Sequence, residues 1–295
     1  MCSSDLMISE AYLPMEHRAM GLALLCSAVA CSDLVIELKE LSLVGIKPRM
    51  VPCRVKQVSK PVADVAILDL KLPMNENFMF SAGQYIDIIL KDGKRRSYSI
   101  ATAPSVEGVT DLQLHVRHTP GGAFTDHVFS AMKERDLLRF EGPLGTFYLR
   151  EDSTKPIILL ASGTGFAPIK SIVEYAIRKK IDRPMTLYWG CRQKADLYML
   201  ELAQGWASAL PGFRFIPVLS DASATDAWTG RGGFVHRAVM EDFPDLSAHQ
   251  VYACGAPVMV DAARRDFTTL CGIPEEEFLA DSFLTEADRA GATGG

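Results

Sequence analysis

The chain has 295 residues, 48% apolar and 23% charged, a length and balance that suit two domains of ordinary size and exclude a collagen-like or disordered chain. Lys and Arg number 31 against 36 Asp and Glu, a net charge of −5 with no basic run, so neither nucleic acid nor an anionic membrane is an expected partner. The cysteines number 7, odd and too sparse for a disulfide scaffold, which favours a reducing, cytoplasmic compartment; no apolar run reaches the roughly 18 residues that span a bilayer.

Along the chain, residues 1–47 come first, ending at Lys47-Pro48. Within them MGLALLCSAVAC, residues 20–31, looks like a short secretory core. Asp5, Glu10 and Glu16 make the preceding stretch acidic, and SDLVIEL runs on like a strand, which argues against secretion. Residues 49–150 hold short β-rich runs (RVKQVSK, VAILDLKL, QYIDIILKDG, SYSIATAP, LQLHVRH, LLRFEGPLG) separated by turn residues, the pattern of an antiparallel barrel or sandwich. Lys91-Asp92-Gly93 predicts a hairpin turn. After a polar boundary at 150–154 the rhythm changes. Apolar strands PIILLAS, PMTLYWG, FRFIPVL and QVYACG alternate with helix-length segments, and Ile169, Ile172, Val173 and Ala176 recur at helical spacing. Strand, helix, strand repeated this way predicts a parallel sheet covered by helices on both faces.

Four short segments carry candidate chemistry. In ASGTGFAP, residues 161–168, Gly163 and Gly165 allow a tight turn between strand and helix, where free N–H groups and the positive helix end suit a diphosphate; an ordinary glycine turn has the same spelling. In RRSYS, residues 95–99, strand alternation puts Arg96 and Tyr98 on one face, a cation for phosphate beside a flat ring, with Ser99 a hydrogen-bond donor; a plain surface strand reads alike. In PGGAFT, Gly121 and Gly122 precede Thr125 at a helix start, either a phosphate loop or a Thr N-cap. In ACGAPVM, Cys254 ends the last strand of the series, either facing a ligand crevice or serving as a small buried thiol. His115 and His118 lie three apart on a strand and make a poor metal pair.

Taken in order, RSYS, GGAFT, EGPLGTF, GTGFAP, YWGCRQKADLY and CGAPVM resemble the ferredoxin–NADP reductase superfamily over about residues 50–285. Longer stretches, AGQYIDIIL, EGPLGTFYLRED, GTGFAPIKSIVE and WTGRGGFVHRAVMEDFPDLS among them, are similar to the CDP-6-deoxy-Δ3,4-glucoseen reductase family, whose layout the reductase components of bacterial oxygenases share. The resemblance implies a β plus α/β architecture: an antiparallel FAD-binding β-barrel over 49–150, a parallel-sheet nicotinamide-binding α/β domain over 155–285, and a truncated end of a plant-type ferredoxin domain over 1–47.

It also implies residue roles. Arg96 would hold the FAD pyrophosphate with Ser97 beside it, Tyr98 would stack on the isoalloxazine, and Ser99 would hydrogen-bond near its N5. The backbone at His115 and Val116 would run along the flavin, and Gly121, Gly122 and Thr125 would bind phosphate. Gly163, Thr164, Gly165 and Pro168 would cradle the dinucleotide; Cys254, Gly255 and Pro257 would line the nicotinamide pocket; Phe283, in FLADSF, would lie by the flavin. Tyr98, Ser99, Cys254 and Phe283 are the expected catalytic set. Asp221, after the third strand of the α/β domain, would repel a 2′-phosphate and favour NADH, although Arg192 and Arg231 would offset it.

At the N-terminus, Cys26 fits the fourth ligand of a 2Fe-2S cluster, but the C-x4-C-x2-C triplet for the other three is missing. No cluster is therefore expected in this chain, which reads as a truncated reductase. The implied activity is hydride transfer from NADH to FAD, then electron delivery to a protein partner, a dehydrase or an oxygenase component. A non-catalytic FAD-binding docking protein and a poorly folding truncated product are the alternatives.

Overall fold

The computed structural model describes residues 46–284 and the backbone of two short strands, β1 (Leu6–Ile8) and β2 (Ala28–Ala30), which pair antiparallel with Leu6 opposite Ala30. Cys26 and the remainder of residues 1–45 lie outside the described residues.

Six strands build the first lobe: β3 (Arg49–Val62), β4 (Val65–Lys71), β5 (Tyr85–Ile89), β6 (Arg95–Ser99), β7 (Asp111–Arg117) and β8 (Leu137–Leu144). They pair antiparallel in the order β6-β5-β8-β3-β4-β7, and a bridge between Ile100 and Leu114 joins the two edge strands into a barrel. Period-two alternation sets the inside. Val51, Cys53 and Val55 of β3 and Leu112, Leu114 and Val116 of β7 point into the barrel core. Gln113, His115 and Arg117 therefore share the other face of β7, directly across from Asp69, Ile67 and Val65 of β4. The hairpin predicted at Lys91-Asp92-Gly93 is present, with the Gly93 N–H donating to Leu90 O at 3.0 Å. A helix, α1 (Ala123–Ser130), follows β7 and packs Phe124 and Val128 on the barrel.

The second lobe is an all-parallel sheet of β9 (Ile157–Ser162), β10 (Met185–Cys191), β11 (Phe213–Leu219), β12 (Arg231–Gly232), β13 (Gln250–Gly255) and β14 (Phe278–Ser282), ordered β12-β11-β10-β9-β13-β14. Its central strands β9, β10 and β13 are buried on both faces, as their near-continuous apolar runs require. Leu159 of β9 packs under helices α2 (Phe166–Lys179) and α3 (Leu200–Ala209), through Ile169, Ile172, Val173, Ala203 and Trp206. Ile158 and Leu160 pack under α4 (Val235–Asp242) and α5 (Pro257–Leu270), through Val239, Val260 and Phe267. The stripe read at Ile169, Ile172, Val173 and Ala176 is the buried face of α2.

The lobes meet along α2. Lys170 Nζ donates to Ala101 O at 3.2 Å, Ser171 Oγ to Thr102 O at 2.7 Å and Arg178 Nη1 to Pro104 O at 2.9 Å. No helix among the described residues is long and apolar enough to cross a membrane.

Candidate functional site

From β9 the chain steps outward to β10 and β11, then returns to the other side of β9 as β13. The carboxyl ends of β9 and β13 thus flank the point where strand order reverses, the place where open α/β sheets leave a crevice. Two turns interlock there. Gly163–Gly165 form one 3₁₀ turn, and the Phe166 N–H bonds back to Gly163 O, which leaves the three preceding N–H groups ahead of the first helical hydrogen bond. Cys254-Gly255-Ala256 crosses against it: a Cβ on Gly165 would stand 2.2 Å from Cys254 O, and one on Gly255, at φ +127°, 2.3 Å from Ser162 Oγ. Ser162 Oγ accepts the Ala256 N–H at 2.9 Å and Cys254 Sγ donates to Gly165 O at 2.8 Å. Pro168 is the third residue of α2 and Pro257 the first of α5, both in first turns where a missing N–H costs little. The Phe283 N–H donates to Gly255 O at 2.8 Å, which places the half-buried Phe283 beside the same crossing.

On the barrel side, Arg96 and Tyr98 share one face of β6, opposite Ile88 and Ile86. Tyr98 packs against Phe124 of α1 at 5.3 Å between ring centroids, and burial raises its hydroxyl well above the usual tyrosine range. Arg96 Nη1 donates to Arg95 O. Ser97, expected near the cofactor, faces the other way and donates to Asp87 Oδ1 at 2.7 Å. Ahead of α1 the N-cap is Gly122, and Thr125 is not a cap. It lies within the first turn, buried, and its hydroxyl donates to Thr119 O at 2.8 Å to close the loop. Asp126 completes that loop by accepting the Gly121 N–H at 3.1 Å and lying 2.8 Å from His118 Nε2.

The seam brings these pieces together. Ser99 Oγ, from the barrel, donates to Asp281 Oδ2 of β14 at 3.3 Å. Burial pushes the Asp281 carboxyl up to about 6, the Ser99 hydrogen bond acting in the opposite direction. Asp281 pairs in register with Cys254, whose thiol is raised well above its ordinary range, by burial first and by Asp281 second. Of the two readings of Cys254, the side chain fits the small buried thiol: it is fully buried and donates to the Gly165 carbonyl where the two turns cross. From β7, Arg117 reaches the glycine turn: a Cβ on Gly163 would meet its Nη2 at 3.2 Å, while its Nε pairs with Asp64 Oδ2 at 3.7 Å, beyond hydrogen-bond distance. His115 is buried on the same face, its Nδ1 2.8 Å from the Tyr198 hydroxyl, and Val116 points into the barrel core.

Of the residues singled out from sequence, Ser99, Gly163, Thr164, Gly165, Cys254, Gly255, Pro257 and Phe283 converge at this seam, while Arg96, Tyr98, Gly121, Gly122 and Thr125 form a second group at the β6–α1 end of the barrel. Two residues were missed. Asp281 sits inside the quoted FLADSF and Arg117 inside the quoted LQLHVRH; what would have found them is a charged side chain at the carboxyl end of a strand. Among the described residues no three His, Cys, Asp or Glu side chains gather as metal ligands.

The donor set suits two dinucleotides. It offers guanidinium groups at Arg96 and Arg117, the latter beside the glycine turn, two glycine-led helix starts for diphosphates, and a ring and a hydroxyl at Tyr98 and Ser99 for a planar heterocycle. Known proteins agree with this. The profile of the oxidoreductase FAD-binding domain matches residues 52–148, and that of the oxidoreductase NAD-binding domain matches residues 159–265. The chain is 44% identical over 276 residues to the CDP-6-deoxy-L-threo-D-glycero-4-hexulose-3-dehydrase reductase of Yersinia pseudotuberculosis, covering 92% of this chain and 81% of that one. It is 37% identical over 266 residues to reductase component 1 of a Comamonas terephthalate 1,2-dioxygenase, covering 89% and 77%. In structure it is similar to the Amycolatopsis cytochrome P450 reductase GcoB, with a TM-score of 0.78, 35% identity, and 92% and 81% of the two chains covered. A barrel and a parallel sheet that meet at a glycine crossing, matched over 92% of the chain by a reductase of this kind, make the chain a member of the ferredoxin reductase family of FAD- and NAD-binding oxidoreductases.

Proposed function

We propose that this protein is an NADH-dependent flavoprotein reductase of the dehydrase-reductase type, which takes a hydride from the nicotinamide and hands electrons to a protein acceptor. The observation that carries the reading is the seam itself, where Ser99 of the barrel and Asp281 beside Cys254 of the nucleotide lobe share one hydrogen-bonded contact. FAD, when bound, supplies a centre that accepts two electrons together and releases them singly. The two domains of the proposal span 49–150 and 155–285.

Every other part of the work falls to the chain. Arg96 and the N–H groups of Ala123, Phe124 and Thr125, which precede the first hydrogen bond of α1, hold the flavin diphosphate in a loop shaped by Gly121, Gly122 and the Thr125 hydroxyl. Tyr98 offers its ring face to the flavin, and the backbone at His115 and Val116 lies along it. The Gly163-Thr164-Gly165 turn, with Pro168 behind it and Arg117 across from it, holds the nicotinamide dinucleotide. Gly255, Pro257 and the main chain of Cys254, whose thiol is packed behind on the Gly165 carbonyl, wall the nicotinamide pocket, and Phe283 closes it against water. Ser99 and Asp281 hold a proton between Oγ and Oδ2, where a neutral carboxyl is accessible near neutral pH.

NADH is favoured because Asp221, exposed after β11, disfavours a 2′-phosphate. Arg231, read from the sequence as an offset, is committed elsewhere: it donates to Ala238 O and pairs with Glu241 and Asp242. The cytoplasmic location belongs to the same proposal, supported by free thiols at Cys53, Cys191, Cys254 and Cys271. The likeness to the terephthalate dioxygenase reductase supports a second acceptor class, a dioxygenase, and reconstitution with each partner distinguishes the two.

Anaerobic addition of NADH to the FAD-loaded protein tests the reading. The flavin band is expected to bleach, with kcat/KM for NADH roughly tenfold or more above that for NADPH, the scale of one lost phosphate contact. A band that keeps its intensity overturns the reductase assignment; faster bleaching by NADPH overturns the cofactor preference alone.

A further inference from the structure

One buried titratable side chain has no part in the chemistry described above. His115 is 4% exposed and lies on the outward face of β7, under the nucleotide lobe. A directional chain of hydrogen bonds runs through it. Asp69 Oδ1 accepts from Gln113 Nε2 at 3.0 Å, and a carboxylate at that end fixes the amide so that Gln113 Oε1 faces His115 Nε2, 3.2 Å away. The imidazole proton is therefore on Nε2. Nδ1 is left bare, and it accepts from the Tyr198 hydroxyl at 2.8 Å. Burial, with the Lys170 ammonium a second cause, pulls His115 down to about 3, so the ring stays neutral and the chain keeps its direction.

Tyr198 passes the contact on. Its ring stands edge-on to Trp189 at 5.3 Å and to Phe166 at 6.2 Å, those two are stacked at 4.0 Å, and Trp189 Nε1 donates to Gly163 O at 2.9 Å. Gly163 opens the turn assigned above to the nicotinamide dinucleotide. We infer that His115 and Tyr198 are positioning residues, whose hydrogen bond across the seam fixes the Gly163–Gly165 turn against β7 and so sets how the nicotinamide meets the flavin. The lobes are also held by Lys170, Ser171 and Arg178, which donate to the carbonyls of Ala101, Thr102 and Pro104 independently of the His115–Tyr198 bond. Loss of the His115–Tyr198 bond therefore leaves the lobes docked and frees the turn to shift against β7. An error of about 1 Å in such an approach is enough to slow a reaction on the order of a hundredfold.

The inference rests on the reductase reading, and wild-type protein that fails to bleach with NADH sinks that reading rather than this pair. Tyr198→Phe keeps the ring in its aromatic box and removes only the donor. In the FAD-loaded full chain its hydride-transfer rate constant, by stopped flow, is expected to fall roughly tenfold, with flavin content, Tm and the Kd for NAD⁺ little changed. His115→Leu should fall as far, His115→Asn should recover most of the rate because its amide oxygen can take the place of Nδ1, and the Leu/Phe double variant should be no slower than His115→Leu. Nitrogen NMR of the imidazole should find the His115 proton on Nε2 in the wild type and a shifted Nδ1 signal in Tyr198→Phe. A wild-type rate in Tyr198→Phe overturns the inference. So do a proton on Nδ1, purely additive effects, or a rate that falls only in step with lost flavin or lost Tm.

Discussion

Asp281 is the residue whose surroundings most alter its chemistry. A carboxyl raised from 3.8 to about 6 is protonated more readily in the folded chain than in the unfolded one. Its stabilising contribution is therefore full below the lower value and is lost as pH rises through the upper one. Compared with Asp281→Asn, the wild type is expected to lose about 3 kcal/mol of stability across that window, and denaturant melts of both proteins at stepped pH check it. A constant difference between the two would show that the carboxyl titrates alike in the folded and unfolded chains. Sequence drew attention to its neighbour Phe283, because an aromatic in a familiar segment is conspicuous, whereas a lone Asp in FLADSF spells a surface residue. Only the tertiary placement of β14 beside β13 buries it. Ser97 shows the converse: a hydroxyl in a promising motif, which strand alternation turns away toward Asp87.

Turns and strands were more legible than single side chains, since their signals are local. The runs from β3 to β11 and β13 show in composition and alternation, and α2 shows in its four-residue stripe. Strands β12 and β14 did not. Two residues of β12 are too few for any period, and in FLADS of β14 only Phe278 is fully buried. The loop before α1 was read with Thr125 as one possible cap; Gly122 takes that place because a side chain there would run into Thr125 Oγ1 at 2.7 Å and Thr119 O at 2.9 Å. The glycine crossing at the end of β9 makes a firm prediction at this scale. In Gly165→Ala the new methyl meets the Cys254 carbonyl at 2.2 Å, main chain that cannot swing aside. The substitution should cost about 2 kcal/mol and weaken NAD⁺ binding roughly tenfold, readable by thermal melts and by titration. An alanine variant with unchanged affinity would mean that the crossing does not shape the nucleotide site.

For the molecule as a whole, the polar stretch at 150–154, between β8 and β9, is no slack linker. Arg183, 8% exposed, donates to Lys155 O at 2.7 Å, to Arg150 O at 2.9 Å and to Gln250 Oε1 at 3.1 Å, while the Arg150 N–H donates to the Tyr252 hydroxyl at 2.8 Å. These partners are far apart in the chain, and no local pattern announces them. Arg183→Met should strand the acceptors and cost roughly 3 kcal/mol in a urea melt; a loss under 1 kcal/mol would assign the fixing of the linker to the Tyr252 contact. The docking of α2 has a different consequence. All three of its acceptors, at Ala101, Thr102 and Pro104, are peptide carbonyls, which every amino acid supplies. Drift in those loop side chains leaves the attachment intact. A barrel borrowed from a relative would present the same acceptors to Lys170, Ser171 and Arg178, so the fastening itself puts no barrier in the way of chimeras that exchange halves between reductases with different clients.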